Sequence, residues 1–361
     1  MLKIGPVQLD SPVLLAPIAS HTNLAFRLMC REQGGVGCAY TDLLNSRSVL
    51  AGNAKSMELA STCPEDKIFG MQLYGSPSDP LPEAACWAID HGAQVIDINM
   101  GCPVDKVAKK NGGSLLLRDC PSTLHLVERM LAAVEKHAGT RVPVTAKIRL
   151  GWDEDSIVGP TLARDLESAG ISLVTVHGRT TVQRFSGRAD WDAIGEVVEA
   201  VRSIPVVGNG DVVVPEDAAE LVRRSGCAGV MIGRAALRTP WLLRQASELL
   251  MTGVAGPEPT FNDKIRCIKR HLELLMIHAS HRSLIEVMHR QISWYGKTLG
   301  HVKPLKEAIR TEHDPERMRS ALESWILEDG EEFSSVSHER YGEIMAEGGE
   351  RCRALVASPA E

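Results

Sequence analysis

The densest chemistry in this chain lies at Asn99-Met100-Gly101-Cys102-Pro103, where a β-rich run beginning at Val95 stops and presents an amide, a thiol and a rigid proline together. A strand that ends this way hands side chains to a site. A thiol of ordinary pKa, about 8.5, is protonated at neutral pH, so Cys102 can donate a proton instead of attacking. A single cysteine is more often a small buried hydrophobe. The neighbours argue otherwise, because functional-looking residues recur at the ends of nearly all the apolar runs: Pro17, Thr41 and Asp42, Gln72, Asn99 with Cys102, Lys147 and Arg149, His177 and Arg179, Asn209 to Asp211, and Gly233 with Arg234. Singly, Lys147 reads as a surface residue with a buried stem and His177 as a hydrogen-bonded core histidine. Their common place in a repeat points to one site.

The repeat supplies the positioning elements. Eight short β-rich runs (Val13 to Ala16, Cys38 to Thr41, Ile68 to Leu73, Val95 to Asn99, Val142 to Ile148, Leu173 to His177, Pro205 to Asn209, Gly229 to Ile232) alternate with helix-period stretches. The helical stretches include Pro80 to His91, Ser122 to Lys136, Pro160 to Ser168, Trp191 to Val201 and Pro215 to Arg224. Eight βα pairs in about 250 residues predict an α/β fold, a (β/α)8 TIM barrel, whose strand ends converge on one face. A doubly wound sheet is the competitor, but the Gly-x-Gly-x-x-Gly fingerprint after a first strand is missing. The Gly- and Pro-rich stretch Gly253 to Thr260 interrupts the pattern. Beyond it, Asn262 to Ile277, Ser283 to Leu299, Pro304 to Glu312 and Pro315 to Leu327 have helical spacing only. The expected organisation is a barrel over 1–250, a linker over 251–260, a small C-terminal helical bundle over 261–335 and a partly disordered acidic tail over 336–361.

Loops with glycine after the seventh and eighth runs, Asn209-Gly210-Asp211 and Gly233-Arg234-Ala235, let backbone N–H groups approach a phosphate, and Arg234 adds charge. Tight turns alone would also account for them. With Lys147 and Gln72 facing the centre, such a site suits FMN: an amide pairs with the pyrimidine edge, and an ammonium stabilises the reduced anionic ring. The Pro17-Ile18-Ala19 turn would pack against that ring.

Composition narrows the classes. The chain has 361 residues, 44% of them hydrophobic, and no apolar run near the roughly 18 residues that span a bilayer. Nothing at Met1 to Pro6 resembles a secretory signal, so a cytoplasmic protein is expected. Nine cysteines (Cys30, Cys38, Cys63, Cys86, Cys102, Cys120, Cys227, Cys267, Cys352) form no C-x-x-C pair or compact cluster, against a metal or iron-sulfur site and for reduced thiols. The overall charge of -6 hides an uneven pattern. Residues 261–310 hold ten Lys/Arg against four Asp/Glu and five histidines, whereas 311–361 hold five against thirteen.

Several motifs carry a resemblance. APIA (Ala16 to Ala19), MQLYG (Met71 to Gly75), DINMGCPVDKV (Asp97 to Val107), AKIRLGW (Ala146 to Trp152), VHGRT (Val176 to Thr180), ADWDAI (Ala189 to Ile194), NGD (Asn209 to Asp211) and IGRAA (Ile232 to Ala236) resemble the bacterial FMN-dependent tRNA-dihydrouridine synthases over about residues 12–310. NMGCP followed by Lys106 and Val107 is the specific element; the glycine loops are not. Trp294-Tyr295-Gly296-Lys297 is similar to the family's W-Y-x-K segment, where a basic bundle meets RNA.

The resemblance implies that NADPH or NADH reduces FMN and that the flavin passes hydride to carbon 6 of a uracil while Cys102, a neutral buried thiol, protonates carbon 5. It implies FMN contacts at Pro17, Ile18, Ala19, Gln72, Lys147, His177, Asn209, Gly210, Asp211, Gly233 and Arg234. Substrate contacts are implied at Asn99, Lys106, Arg149 and Arg179, the cations with Lys109, Lys110 and the basic helical segment holding tRNA phosphates around a flipped base. No metal or membrane partner is implied, and a monomer is expected. The chain departs from the family at Ile18 (usually Met), Ser20 (Gly), Asn23 (Asp), Asp42 (Glu) and Asn111-Gly112 (Gly-Ala), which puts substrate choice and turnover in question more than cofactor binding. Two other readings remain: a flavin-dependent reductase of a free pyrimidine or enone, like dihydroorotate dehydrogenases and old yellow enzymes, and a tRNA-binding protein with an idle barrel.

Overall fold

Each apolar run becomes a strand because it is buried on both faces, packed by helices outside and by other strands' side chains within. The computed structural model describes residues 1–103, 112–300 and 302–326. Eight strands, β1 (Val13–Leu15), β2 (Cys38–Tyr40), β3 (Phe69–Tyr74), β4 (Val95–Met100), β5 (Val144–Arg149), β6 (Val174–His177), β7 (Val206–Asn209) and β8 (Gly229–Ile232), pair in parallel. β8 pairs back onto β1 and β2 pairs with β3, so the sheet closes into a TIM barrel as expected. Strand bounds move by a residue or two. β5 starts at Val144 because Pro143 has no N–H to give a ladder.

Register decides what the interior holds. Gln72, Asp97 and Thr145 are partners in one layer, Asn99, Lys147 and Thr175 in the next, and Arg149, His177 and Asn209 in the layer nearest the strand ends. The interior of β1, β2 and β8 is apolar instead, with Leu14, Ala16, Cys38, Tyr40 and Met231 in one cluster, and Leu2, Ile4 and Leu9 from the N-terminal hairpin packed beneath. A barrel that replaces apolar filling with polar layers on one side gives up about 1.5–3 kcal/mol per side chain, the usual mark of a functional interior.

Outer helices begin on local signals. Asn23 caps Leu24–Gln33 by accepting the Phe26 N–H at 2.9 Å, so this departure keeps the acceptor an aspartate would supply. Ser20, where the family has glycine, stands at φ +67°, a left-handed conformation that costs a side-chain residue about 1 kcal/mol. Its N–H and that of Leu43 are both accepted by Asp42, at 2.5 and 2.6 Å, so the shorter acid still closes the two loops together.

After Leu242–Thr252, no helix or strand occurs before Thr260, which caps Phe261–His278 in a reciprocal box with Asp263. Three further helices follow: His281–Tyr295, Lys303–Thr311 and Pro315–Glu323. His281–Tyr295 ends earlier than its periodicity predicts, because from Lys297 the chain tightens into three-residue turns that close at Gly300, φ +80°. Phe261–His278 packs on Leu24–Gln33, where the Cys267 thiol meets Met29 Sδ at 3.4 Å and Phe26 meets His271 edge-on. No helix among the described residues is long and apolar enough to cross a membrane. Lys106, Lys109, Lys110, Asn111 and the predicted tail at 336–361 lie outside the described residues.

Candidate active site

A cavity of about 610 Å³ opens at the C-terminal ends of the strands. Pro17, Ile18, Ala19, Gln72, Asn99, Cys102, Lys147, Arg149, His177, Asn209, Gly210, Asp211, Gly233 and Arg234 all line it, brought together from seven of the eight strand ends. Arg179 does not.

Charge in this cavity is constrained by burial. Lys147 donates to Asn209 Oδ1 at 2.8 Å, and Asn209 Nδ2 donates to the Met231 carbonyl at 2.7 Å, which locks the amide's orientation. Burial, followed by the Arg149 charge, pulls the Lys147 ammonium down to about 8, against the pull of Asp97 and Cys102. His177 is held well below its ordinary value by burial and by the positive charges of Lys147, Arg149, Arg179 and Arg234. Its ring is therefore neutral. Arg179 Nη1 donates to His177 Nε2 at 3.3 Å, and since a guanidinium cannot accept, the ring proton sits on Nδ1.

Two substrate expectations change. Arg179 is 1% exposed and its guanidinium is engaged by Ser186 O (3.1 Å), Gly187 O (2.8 Å) and the Asp211 carboxylate (2.7 Å). It braces the β6 and β7 loops and cannot reach an RNA phosphate. Arg149 lines the cavity but is also only 1% exposed, donating to the carbonyls of Gly101 (2.8 Å), Thr180 (2.7 Å) and Arg184 (2.8 Å). A phosphate on the outer surface is out of its reach as well; only a group inside the cavity can meet it.

Cys102 is partly exposed in the cavity, not buried as expected. Its backbone N–H donates to Asn99 Oδ1 at 2.9 Å, and that of Gly101 to the same oxygen at 3.2 Å. Asn99 thus holds the thiol-bearing turn. Its Nδ2 donates to Gln72 Oε1 at 2.6 Å, while Gln72 Nε2 donates to Asp97 Oδ2 at 2.6 Å. Gln72, fully buried at the cavity floor, keeps one N–H and one lone pair for a ligand.

Of the two glycine loops, the one at Gly210 has the tighter backbone. Gly210 sits at φ +123° with a hypothetical Cβ 2.7 Å from Ala189 Cβ, so no side chain fits there. Asp211 follows at φ +59°, its carboxylate accepting from Arg179 and from the Ala189 N–H at 2.7 Å, with Arg234 at 3.8 Å. Among the described residues no group of three His, Cys, Asp or Glu could hold a metal ion.

Other contributors were not placed at the cavity by the motif reading. Phe185 lies in the β6 loop beneath the guanidinium of Arg234, 4.4 Å from its ring centre. His21, Arg238 and Trp294 join the rim, Trp294 standing edge-on to His21. The helix that brings Trp294 is pinned there by Gln291, which accepts from His21 Nδ1 at 3.2 Å and donates to Leu237 O at 2.6 Å. Tyr295 of the W-Y-x-K segment faces inward, its hydroxyl 2.9 Å from His271 Nδ1, and so offers RNA nothing. Much of the basic segment's charge is matched by acids at the surface: Lys264, Arg266, Lys269, Arg270 and Arg282 pair with Glu258, Asp263, Glu323, Glu32 and Glu286. Lys297 instead lies over the Trp294 ring at 4.4 Å, next to the mouth. Only proximity in the fold marks Phe185, His21 and Arg238; the W-Y-x-K resemblance marked Trp294 and Lys297, but not their place at the cavity mouth.

Known proteins agree with this architecture. The chain is similar to a probable tRNA-dihydrouridine synthase of Rickettsia bellii, 34% identical over 87% of this chain and 94% of the relative. It is 38% identical to tRNA-dihydrouridine synthase B of Xanthomonas axonopodis, over 82% of this chain and 87% of that one. A solved histamine dehydrogenase from Rhizobium shares the fold at a TM-score of 0.52 and 15% identity, matching 76% of this chain and 50% of its own. The family profile for dihydrouridine synthase matches residues 14–329, which takes in every strand of the barrel and the helices around the cavity mouth; the chain belongs to the dihydrouridine synthase family.

Proposed function

We propose that this cavity reduces a uridine of tRNA to 5,6-dihydrouridine, with FMN as the resident cofactor. One observation carries the reading: a thiol, a half-buried ammonium and two glycine loops, contributed by separate strand ends, line a single cavity. The residues present fit FMN. Ala16, Pro17, Ile18, Met231 and Leu237 offer an apolar wall to a flat ring, and Gly210, Gly233 and Arg234 suit a phosphate. Lys147, still charged at neutral pH, can offset negative charge on a reduced ring, and Gln72 has a donor and an acceptor left for a pyrimidine edge.

The cavity's apolar wall, Lys147 and the glycine loops would hold FMN, which when bound and reduced by NADPH or NADH would supply hydride chemistry toward carbon 6 of the uracil. Cys102 holds a proton at Sγ and delivers it to carbon 5, so that hydride and proton together replace the double bond with two C–H bonds. The thiolate left behind regains its proton from solvent, which its partial exposure allows. Asn99 fixes the turn, and Arg149, inside the cavity, is assigned to the base and not to phosphate.

A base stacked in folded tRNA must be flipped to reach this depth. We assign catalysis to the barrel over 1–250 and RNA binding to the helical unit over 261–335 joined by 251–260, with Arg238, Trp294 and Lys297 at the shared mouth. The test is Cys102→Ala in the holoprotein. It is expected to remain yellow and to be bleached by NADPH while dihydrouridine formation falls by about 10²-fold or more. Undiminished uridine reduction removes Cys102 from the mechanism, and a colourless wild-type protein that takes up no FMN removes the cofactor.

A further inference from the structure

The proposed reaction gives Asp97 no role, yet its carboxylate is buried in the middle of the barrel, 1% exposed. Oδ1 accepts the Thr145 hydroxyl at 2.6 Å and Oδ2 accepts Gln72 Nε2 at 2.6 Å. Lys147, whose charge favours the ionised acid, donates to Asn209 instead. Burying a carboxylate without an ion pair is costly, and here burial pushes it up to about 6. Stability alone does not explain keeping an acid at this position.

What the carboxylate does supply is direction. From Asp97 the hydrogen bonds run through Gln72 Oε1, which accepts Asn99 Nδ2 at 2.6 Å, to Asn99 Oδ1, which accepts the Cys102 and Gly101 N–H groups. An amide turned end for end occupies nearly the same space, so shape does not decide which end of Gln72 or Asn99 points where. A carboxylate accepts at both oxygens. Opposite it, Gln72 must present its NH2, its oxygen must then face Asn99, and the Asn99 oxygen must face the thiol-bearing turn.

We propose that Asp97 is a positioning residue for Cys102, acting as the acceptor that sets the polarity of the Gln72-Asn99 chain and thereby holds the turn that carries the thiol. For catalysis this rests on the reading of Cys102 as the proton donor; the positioning itself does not. Asp97→Asn removes the acceptor-only end of the chain, since an amide at 97 can face Gln72 with either end, and leaves the donor-only Gly101 and Cys102 N–H groups as the remaining anchor. The double variant Gln72→Glu with Asp97→Asn moves the anchor one link along: the carboxylate introduced at position 72 accepts from Asn99 and from the new amide at 97, and Asn99 must again offer its oxygen to Cys102. Thr145→Val perturbs the packing of the same layer while leaving the polarity intact.

The experiment is hydrogen exchange of single backbone amides, read alongside steady-state uridine reduction. In Asp97→Asn the Gly101 and Cys102 amides are expected to exchange several-fold faster, with the β3, β4 and β5 amides still protected and with kcat, not KM for tRNA, reduced. The double variant restores slow exchange at both amides, and Thr145→Val leaves it as in the wild type. If Asp97→Asn does not fold, Gln72→Leu, which cuts the chain at its middle, carries the same expectation for the two amides. Slow exchange retained in Asp97→Asn, or equal loss in Thr145→Val, overturns the proposal. Exchange that follows the pattern in a wild-type protein that forms no dihydrouridine sinks the functional reading and leaves the positioning role standing.

Discussion

Replacing Arg179 by methionine separates a brace from an RNA contact. The guanidinium makes four hydrogen bonds, to Ser186 O, Gly187 O, Asp211 and His177, and its side chain is 2% exposed. Methionine fills the stem's volume but leaves the carbonyls and the Asp211 carboxylate without their donor. Breaking a buried ion pair at one partner costs about 3–5 kcal/mol. Asp211 is 30% exposed and has Arg234 at 3.8 Å, which places the loss toward the lower figure. At about 2 °C per kcal/mol, the low end of the scale and suited to a long chain, Tm falls by roughly 6 °C.

Asp211 adds a pH signature. Burial pushes its carboxyl up, but the Arg179 hydrogen bond, the Ala189 N–H and both arginine charges outweigh this and hold it below the usual range. That stabilisation is present above about pH 4 and is lost as pH falls through the lowered value, so the variant's deficit shrinks in acid. Thermal unfolding at pH 7 and pH 3.5 measures this, and tRNA binding across a salt series supplies the contrast. A lost phosphate contact would flatten the dependence of log K on log salt by about 0.7–0.9. Arg179→Met is expected to leave that slope intact and to weaken FMN retention through the loosened β7 turn. An unchanged Tm together with a flattened slope refutes the bracing role.

Two further predictions follow from the cavity. Lys147, folded at about 8 against about 10.4 unfolded, pays on the order of 3 kcal/mol to stay charged, a cost present below pH 8 and relieved as pH rises toward 10. Lys147→Met is therefore expected to melt higher than wild type at pH 7 with a gain that fades by pH 10, while uridine reduction falls; lower stability at pH 7 counts against the half-buried ammonium. Trp294→Leu removes one aromatic face from the mouth and is expected to raise KM for tRNA about tenfold, a base-aromatic contact being worth about 1–3 kcal/mol. KM within twofold of wild type by steady-state assay takes Trp294 out of the RNA path.

The eight strands were legible because each is a short apolar run, most of them closed by a polar residue, and burial on both faces leaves such a run little else to become. Val95 to Asn99 was expected and Val95–Met100 is observed. The helical segment was legible for the same reason, with its end at Tyr295 misjudged because Gly296 and the turns after it follow from local backbone geometry, not from periodicity. Residue type and place in the repeat also identified Cys102, Lys147 and His177 as candidates. Trp294 and Phe185 could not be placed at the cavity, because the path of a long loop or of a docked helix has no periodic trace.

What the sequence determined by itself is thus a barrel, its strand ends and the kinds of group available there, since hydrophobic period and strand length are properties of neighbours in the chain. Tertiary structure alone decided direction and access. Arg149 and Arg179 are the same residue type at neighbouring strand ends, yet one lines the cavity and the other is taken up by the β6 and β7 loops. Asp97, Gln72 and Asn99 form one polarised chain only because parallel register sets 97 beside 72 and puts 99 at the next inward position. Hydrogen bonds and burial depend on which atoms meet, and closing a sheet on itself brings together residues that no local pattern relates.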